Sequence, residues 1–306
     1  MGVIPEPFTE RLAELFRRVA RSNAARFYAV IWLLSALYLF LHDQTQSVEY
    51  GLFWLFAIVI LGSATVLSTK DAPPDTESAP AARRWLWWQI AALAVFILLT
   101  AYSGAVFHAL APADARIPLW SPLMGALENI GGQAFGNDNY LKNPVAYFVL
   151  PLIVLLLLRA RFVSLGFGRG HRVLRVLLTW CVLPVLVILL QLVGGSLAVG
   201  QVLNRFVSNG LQNGFFEEFL FRGALQTRLR KLINAEWALV LQALIFGLWH
   251  LGLGYSSTGS NDVIAAAAST IMLQASIGLC FGIIFARSRN LLASSVFHVL
   301  VNSMGI

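Results

Sequence analysis

The stretch WLWWQIAALAVFILLTAYSGAVF, residues 85–107, carries no charged side chain and follows directly on Arg83-Arg84. At about 1.5 Å per residue, a helix of that length crosses a bilayer core about 30 Å thick. The run does not alternate polar and apolar residues, so it is not a strand of an outer-membrane barrel. Lipid offers the backbone no hydrogen-bond partner, which leaves a helix as the structure that satisfies its own amides. Trp85, Trp87 and Trp88 stand beside the two arginines, where an interfacial aromatic belt belongs.

Similar runs recur along the chain. Of its 306 residues, 58% are hydrophobic and only 12% charged, about half the charge of a soluble domain. The fold predicted is all-α: a polytopic transmembrane helix bundle of about nine spans, at 27–42, 51–69, 85–107, 144–159, 176–198, 211–227, 236–253, 263–286 and 290–306. Residues 1–26 read as a cytoplasmic amphipathic segment rich in Arg, rather than a signal peptide. Residues 71–84 read as a polar, proline-rich linker, and 108–143 as a long external loop. The predicted organisation is therefore an N-terminal segment at 1–26, accessory transmembrane helices at 27–159 and a core at 160–306.

Of the 22 Lys and Arg residues, 18 fall in one alternating set of loops and only Arg116, Lys142 and Arg205 in the other. Arg222 lies inside a span. The positive-inside rule then puts the N-terminus in the cytoplasm and, with nine spans, the C-terminus outside. The net charge of +7 is spread over short loops rather than one soluble face, so nucleic acid is excluded as a partner. The lipid bilayer is the partner that composition requires. Cys181 and Cys280 lie in apolar runs and are expected as free thiols, with no disulfide framework.

Polar residues inside the spans stand out against this background. Span six reads Gly214-Phe-Phe-Glu217-Glu218-Phe-Leu-Phe-Arg222-Gly223. A charge at the centre of a membrane helix costs about 2.5–3.5 kcal/mol on insertion scales. Glu218 and Arg222 are four apart with the acid first, the favourable order for a pair on one face. Glu217 points about 100° away, with no partner on its own helix, and is the candidate general base. Span seven carries Phe246-Gly-Leu-Trp-His250, and span nine His298-Val-Leu-Val-Asn302. Counted from the nearest basic residue or span start, Glu217, His298, Asn302 and His250 lie roughly 16, 13, 20 and 21 Å deep. They can therefore meet near mid-membrane. Taken singly, a Glu–Arg pair is often structural and a lone His often packing. Gln89, Gln191, Gln242 and Gln274 are read as helix glue. The joint occurrence of three motifs at compatible depth points to chemistry.

These motifs resemble those of the CPBP intramembrane glutamic endopeptidases. That group contains the type II CAAX prenyl endopeptidases and bacterial relatives linked to bacteriocin self-immunity. The resemblance covers roughly residues 160–306. It implies a catalytic set of Glu217, His250, His298 and Asn302, with Glu218, Arg222 and Phe246 in support. It implies an endopeptidase that uses activated water on a membrane-embedded or lipidated protein or peptide, in a bacterial inner membrane, with no cofactor. Zinc held by Glu and His is the less favoured alternative, since no His-Glu-x-x-His is present. A non-proteolytic scaffold, an immunity partner or a transporter using the same cluster also stays open.

Overall fold

The structure is a computed structural model, and it describes residues 8–69, 80–112, 114–259 and 262–305, with the side chains of 80–82 left aside. Among the described residues it is helical throughout, with no strand. The helices are α1 (Phe8–Arg21), α2 (Asn23–Leu41), α3 (Thr45–Ser68), α4 (Pro80–Phe107), α5 (Trp120–Phe135), α6 (Asn139–Leu157) and α7 (Val173–Val193). A continuous helical run over 199–232 forms α8. It is followed by α9 (Ala235–Trp249), α10 (Leu251–Thr258), α11 (Val263–Ser288) and α12 (Leu291–Ser303).

Local chemistry sets several starts. Ser22 accepts from the Ala25 amide at α2 and Asn234 from the Trp237 amide at α9. Asp262 accepts from Ile264 and Ala265 at α11, and Asn290 from Leu292 at α12. Each is a short polar side chain satisfying an amide that the first turn leaves unpaired.

Among the described residues, six helices are long and apolar enough to cross a membrane: α2, α3, α4 from Arg83, α6, α7 and α11. The α9–α10 pair adds a seventh, bent by 52° at His250. The other two of the nine predicted spans are helical but fall outside that test. The 211–227 span is part of α8, which carries too many polar residues. The last span is α12, only 13 residues long. Residues 108–143, expected as a loop, hold α5 and the start of α6. Of the linker expected at 71–84, residues 71–79 lie outside the described residues, as do residues 1–7 of the N-terminal segment, and α4 begins already at Pro80.

The helices differ sharply in burial. In the apolar stretch of α11, 72% of residues are buried, against 17–28% in α2, α3, α4, α6 and α7. On α7, Leu174, Leu178, Val182, Leu186 and Leu190 are all exposed. An apolar face of that size suits acyl chains. So α11 runs through the middle, α8, α9, α10 and α12 pack on it, and the remaining helices form a shell.

Candidate active site

Glu217 and Glu218 stand on a regular turn of α8 between two π-helical stretches, Gly210–Gly214 and Phe219–Gln226. Such wide turns shift the phase of a helix and are frequent at functional sites. Phe219 through Gln226 are all buried. At Gly223 a side chain would collide with the Leu165 carbonyl, so glycine is what lets the 162–165 turn lie against α8.

Glu218 is fully buried and meets two cationic or hydrogen-bonding partners. Its Oε1 lies 3.0 Å from Arg222 Nη1, an ion-pair distance rather than an aligned hydrogen bond, and 3.0 Å from His298 Nδ1. Arg222 also donates to the Gly278 carbonyl of α11 at 3.1 Å. Its guanidinium lies 4.3 Å from the Phe246 ring, 4.8 Å from Phe281 and 5.8 Å from Phe221. Aromatic faces attract a cation that has been taken out of water. The expected Glu218–Arg222 pair is therefore present, and it reaches three further helices, α9, α11 and α12.

Glu217 is turned the other way. Its Oε2 is buried with no hydrogen-bond partner among the described residues. It lies 3.8 Å from His298 Nε2 and 3.9 Å from His250 Nε2. Each imidazole is held by its other nitrogen. His250 Nδ1 is 2.9 Å from the Phe246 carbonyl, and a carbonyl only accepts, so the proton there is on the ring. His298 Nδ1 faces Glu218, and its ring stacks on Phe281 at 4.4 Å. Phe246 packs edge-on to His250 at 4.7 Å, so it touches both His250 and Arg222. His250 sits at the bend between α9 and α10, where the chain leaves one helix and starts the next.

Asn302 lies one turn beyond His298 on α12. Its Nδ2 donates to Asn209 Oδ1 at 3.3 Å, and Asn209 Nδ2 donates to the Arg205 carbonyl. Glu217, His250, His298 and Asn302 all line one cavity of about 540 Å³. Glu218 and Arg222 lie behind its wall.

Other residues share that cavity without having been singled out in the sequence. Asn209 and Asn213 precede Glu217 at steps of four on α8, and Asn139, Asn143 and Tyr147 repeat that step on α6. Asn143 donates to Asn213 at 2.9 Å. On α4, Thr100 accepts from Trp249 Nε1 at 2.8 Å, which ties the residue next to His250 to the shell. Gln274, expected as helix glue, also lines the cavity, with its Oε1 buried and without a hydrogen-bond partner among the described residues. The steps of four were legible signals. What the sequence did not give was which helices are neighbours.

Among the described residues, no group of three or more His, Cys, Asp and Glu is arranged to hold a metal ion. The two carboxylate–imidazole gaps exceed the roughly 3.4 Å between ligand atoms of a tetrahedral zinc with bonds of about 2 Å.

Residues 199–304 match the family model described as Rce1-like, type II CAAX prenyl endopeptidase Rce1-like. The match spans α8 to α12 and leaves the shell helices outside it. No curated protein and no solved structure matches the chain.

Proposed function

We propose, from the match of residues 199–304 to the Rce1-like, type II CAAX prenyl endopeptidase family model, that the chain is an intramembrane endopeptidase working by water activated on Glu217. One observation carries this reading. A buried, unpartnered carboxylate oxygen faces two imidazole nitrogens at 3.8 and 3.9 Å, at the base of a cavity. Those gaps are too long for direct hydrogen bonds. Each suits a bridging water about 2.8 Å from the carboxylate oxygen and from the imidazole nitrogen.

In the proposed reaction, Glu217, assisted by His250, takes a proton from that water as its oxygen attacks a peptide carbonyl carbon. His298 and Asn302 stabilise the oxyanion by hydrogen bonds. Glu218 and Arg222 keep His298 in place. The carbon–nitrogen bond then breaks, and the proton taken by Glu217 passes to the leaving nitrogen. No covalent enzyme intermediate forms. The substrate is a membrane-embedded or lipidated polypeptide, and the setting is a bacterial inner membrane with the N-terminus in the cytoplasm and the C-terminus outside. The reaction needs no cofactor, and the metal content of purified protein separates it from the zinc alternative.

The experiment is a comparison of protein termini, by terminal-peptide mass spectrometry, in membranes holding equal amounts of wild type and Glu217→Gln. Termini present only with wild type are expected. Identical termini in both would leave a scaffold, immunity or transport role for the cluster.

A further inference from the structure

The cavity is closed at one end and open at the other, and the two ends differ in charge. Toward the arginine-rich ends, a continuous buried layer lies beneath Glu217. Arg222 donates to the Gly278 carbonyl, Gln242 donates to the same carbonyl, and Gln226 donates to that of Gly282. Phe219, Phe281, Phe285 and Phe297 fill the space between. None of Gln226, Gln242, Phe285 and Phe297 lines the cavity, so it stops at the level of Glu217, His298 and Phe281.

In the opposite direction the lining runs out to helix ends. It reaches Phe107 and His108 at the end of α4, Asn139 and Lys142 at the start of α6, and Leu253 beyond the bend. Phe107 is 73% exposed and Leu253 39%. Four of the lining helices give the same sense. On α4, Arg83 and Arg84 stand at the start and the cavity at the end. On α6 the cavity is at the start, and Arg159 and Arg161 follow the end. On α8 the cavity is in the first half, which carries Arg205 alone, and Arg228, Arg230 and Lys231 stand at the end. On α11 the cavity residues Leu273 to Phe281 precede Arg287 and Arg289. Arginine-rich helix ends face the cytoplasm, so the mouth faces away from it.

The walls indicate what enters. Asn139, Asn143, Asn209, Asn213 and Asn302 line the cavity, and Asn143 Oδ1 and Gln274 Oε1 are buried without partners. Side-chain amides offer both a donor and an acceptor, as the backbone of an extended strand requires. The cationic side chain at the mouth, Lys142, is already paired with Glu128 at 2.6 Å, so the walls select backbone rather than charge.

We propose that the cavity takes the extracytoplasmic, juxtamembrane stretch of a membrane-anchored polypeptide, entering as an extended strand from the face opposite the arginine-rich loops. The inference rests on the peptidase reading for its chemistry, but the direction of access does not. A lipidated C-terminus lying in the cytoplasmic leaflet would meet the sealed end.

The test begins with cysteine accessibility. His108→Cys and Asn139→Cys, at the mouth, and Arg175→Cys, at the arginine-rich end, are treated with trimethylammonium-ethyl methanethiosulfonate, a membrane-impermeant thiol reagent. It is applied to the outside of intact cells and to inside-out vesicles, with the parent chain as background for Cys181 and Cys280. The two mouth positions are expected to react only from outside and Arg175→Cys only from the cytoplasmic side. Using two mouth positions guards against one variant failing to fold. The reverse pattern overturns the proposal. Terminal-peptide comparison against Glu217→Gln then separates the two readings. New termini in extracytoplasmic segments support the substrate class, and new termini confined to cytoplasmic segments overturn it while leaving the peptidase. Outside labelling with no wild-type-dependent termini overturns the peptidase and, with it, the substrate class, but not the direction of access.

Discussion

The shell and the core of this protein place their side chains under different constraints. In the shell, α2, α3, α4, α6 and α7 bury about a quarter or less of their apolar stretches and turn the rest outward. In the core, α11 is 72% buried and the π-helical stretch of α8 entirely so. Shell residues such as Leu98 and Leu178 need only be apolar, because lipid is a tolerant neighbour. Core residues such as Glu218, Arg222 and His298 must each meet a partner, because an unpaired polar group there has no water to turn to. The boundary is crossed in a few places. Thr100 of α4 and Asn143 of α6 reach into the site through hydrogen bonds to Trp249 and Asn213.

That contrast predicts a graded response to mutation. The largest effect is expected for Arg222→Leu, which leaves Glu218 buried without its cation. Breaking one partner of a buried pair costs about 3–5 kcal/mol, so the thermal midpoint of the purified protein should fall steeply and activity with it. A midpoint equal to wild type would show that the pair contributes little to the core. Glu217→Gln should behave differently, with cleavage reduced about 10²- to 10⁴-fold and the thermal midpoint held near wild type. Loss of both together would make Glu217 a structural residue like Arg222.

Where shell meets core, Thr100→Val removes the acceptor for the part-buried Trp249 beside His250 and should cost about 0.5–1.5 kcal/mol of stability, the net contribution of one hydrogen bond. The rate of cleavage should fall less than in Glu217→Gln, since His250 keeps its own bond to the Phe246 carbonyl. Deep in the shell, Leu98→Ala replaces a side chain that is 68% exposed, and stability should stay within about 0.5 kcal/mol of wild type. A larger change there would mean that the outward face of α4 packs against protein rather than lipid.

The same contrast explains what could be read in the sequence. The shell spans are visible because lipid imposes one demand, a long apolar run, and 85–107 meets it without ambiguity. The central pair was visible because Glu218 and Arg222 are four apart on one helix. Convergence of Glu217, His250 and His298 followed from their depths, and the structure brings a nitrogen of each imidazole within 4 Å of Glu217 Oε2. Other features depend on neighbours that periodicity does not name. The π-helical turns on either side of Glu217 change the phase of α8, so a 3.6-residue period does not follow it through. The bend at His250 carries no proline to announce it. The helix at Trp120–Phe135 was hidden by Gly and Pro in a stretch that reads as loop. Asn143, Asn209 and Asn213 looked like ordinary polar residues until α6 was seen beside α8.

The central claim is that water activated on Glu217 cuts a peptide bond, and isotope labelling tests it most directly. Membranes with wild type or Glu217→Gln are incubated in water enriched in oxygen-18, and their terminal peptides are then prepared in ordinary water. The account predicts new carboxyl termini that carry one oxygen-18 with wild type and are absent with Glu217→Gln. The same labelled termini at the same rate in both would contradict it.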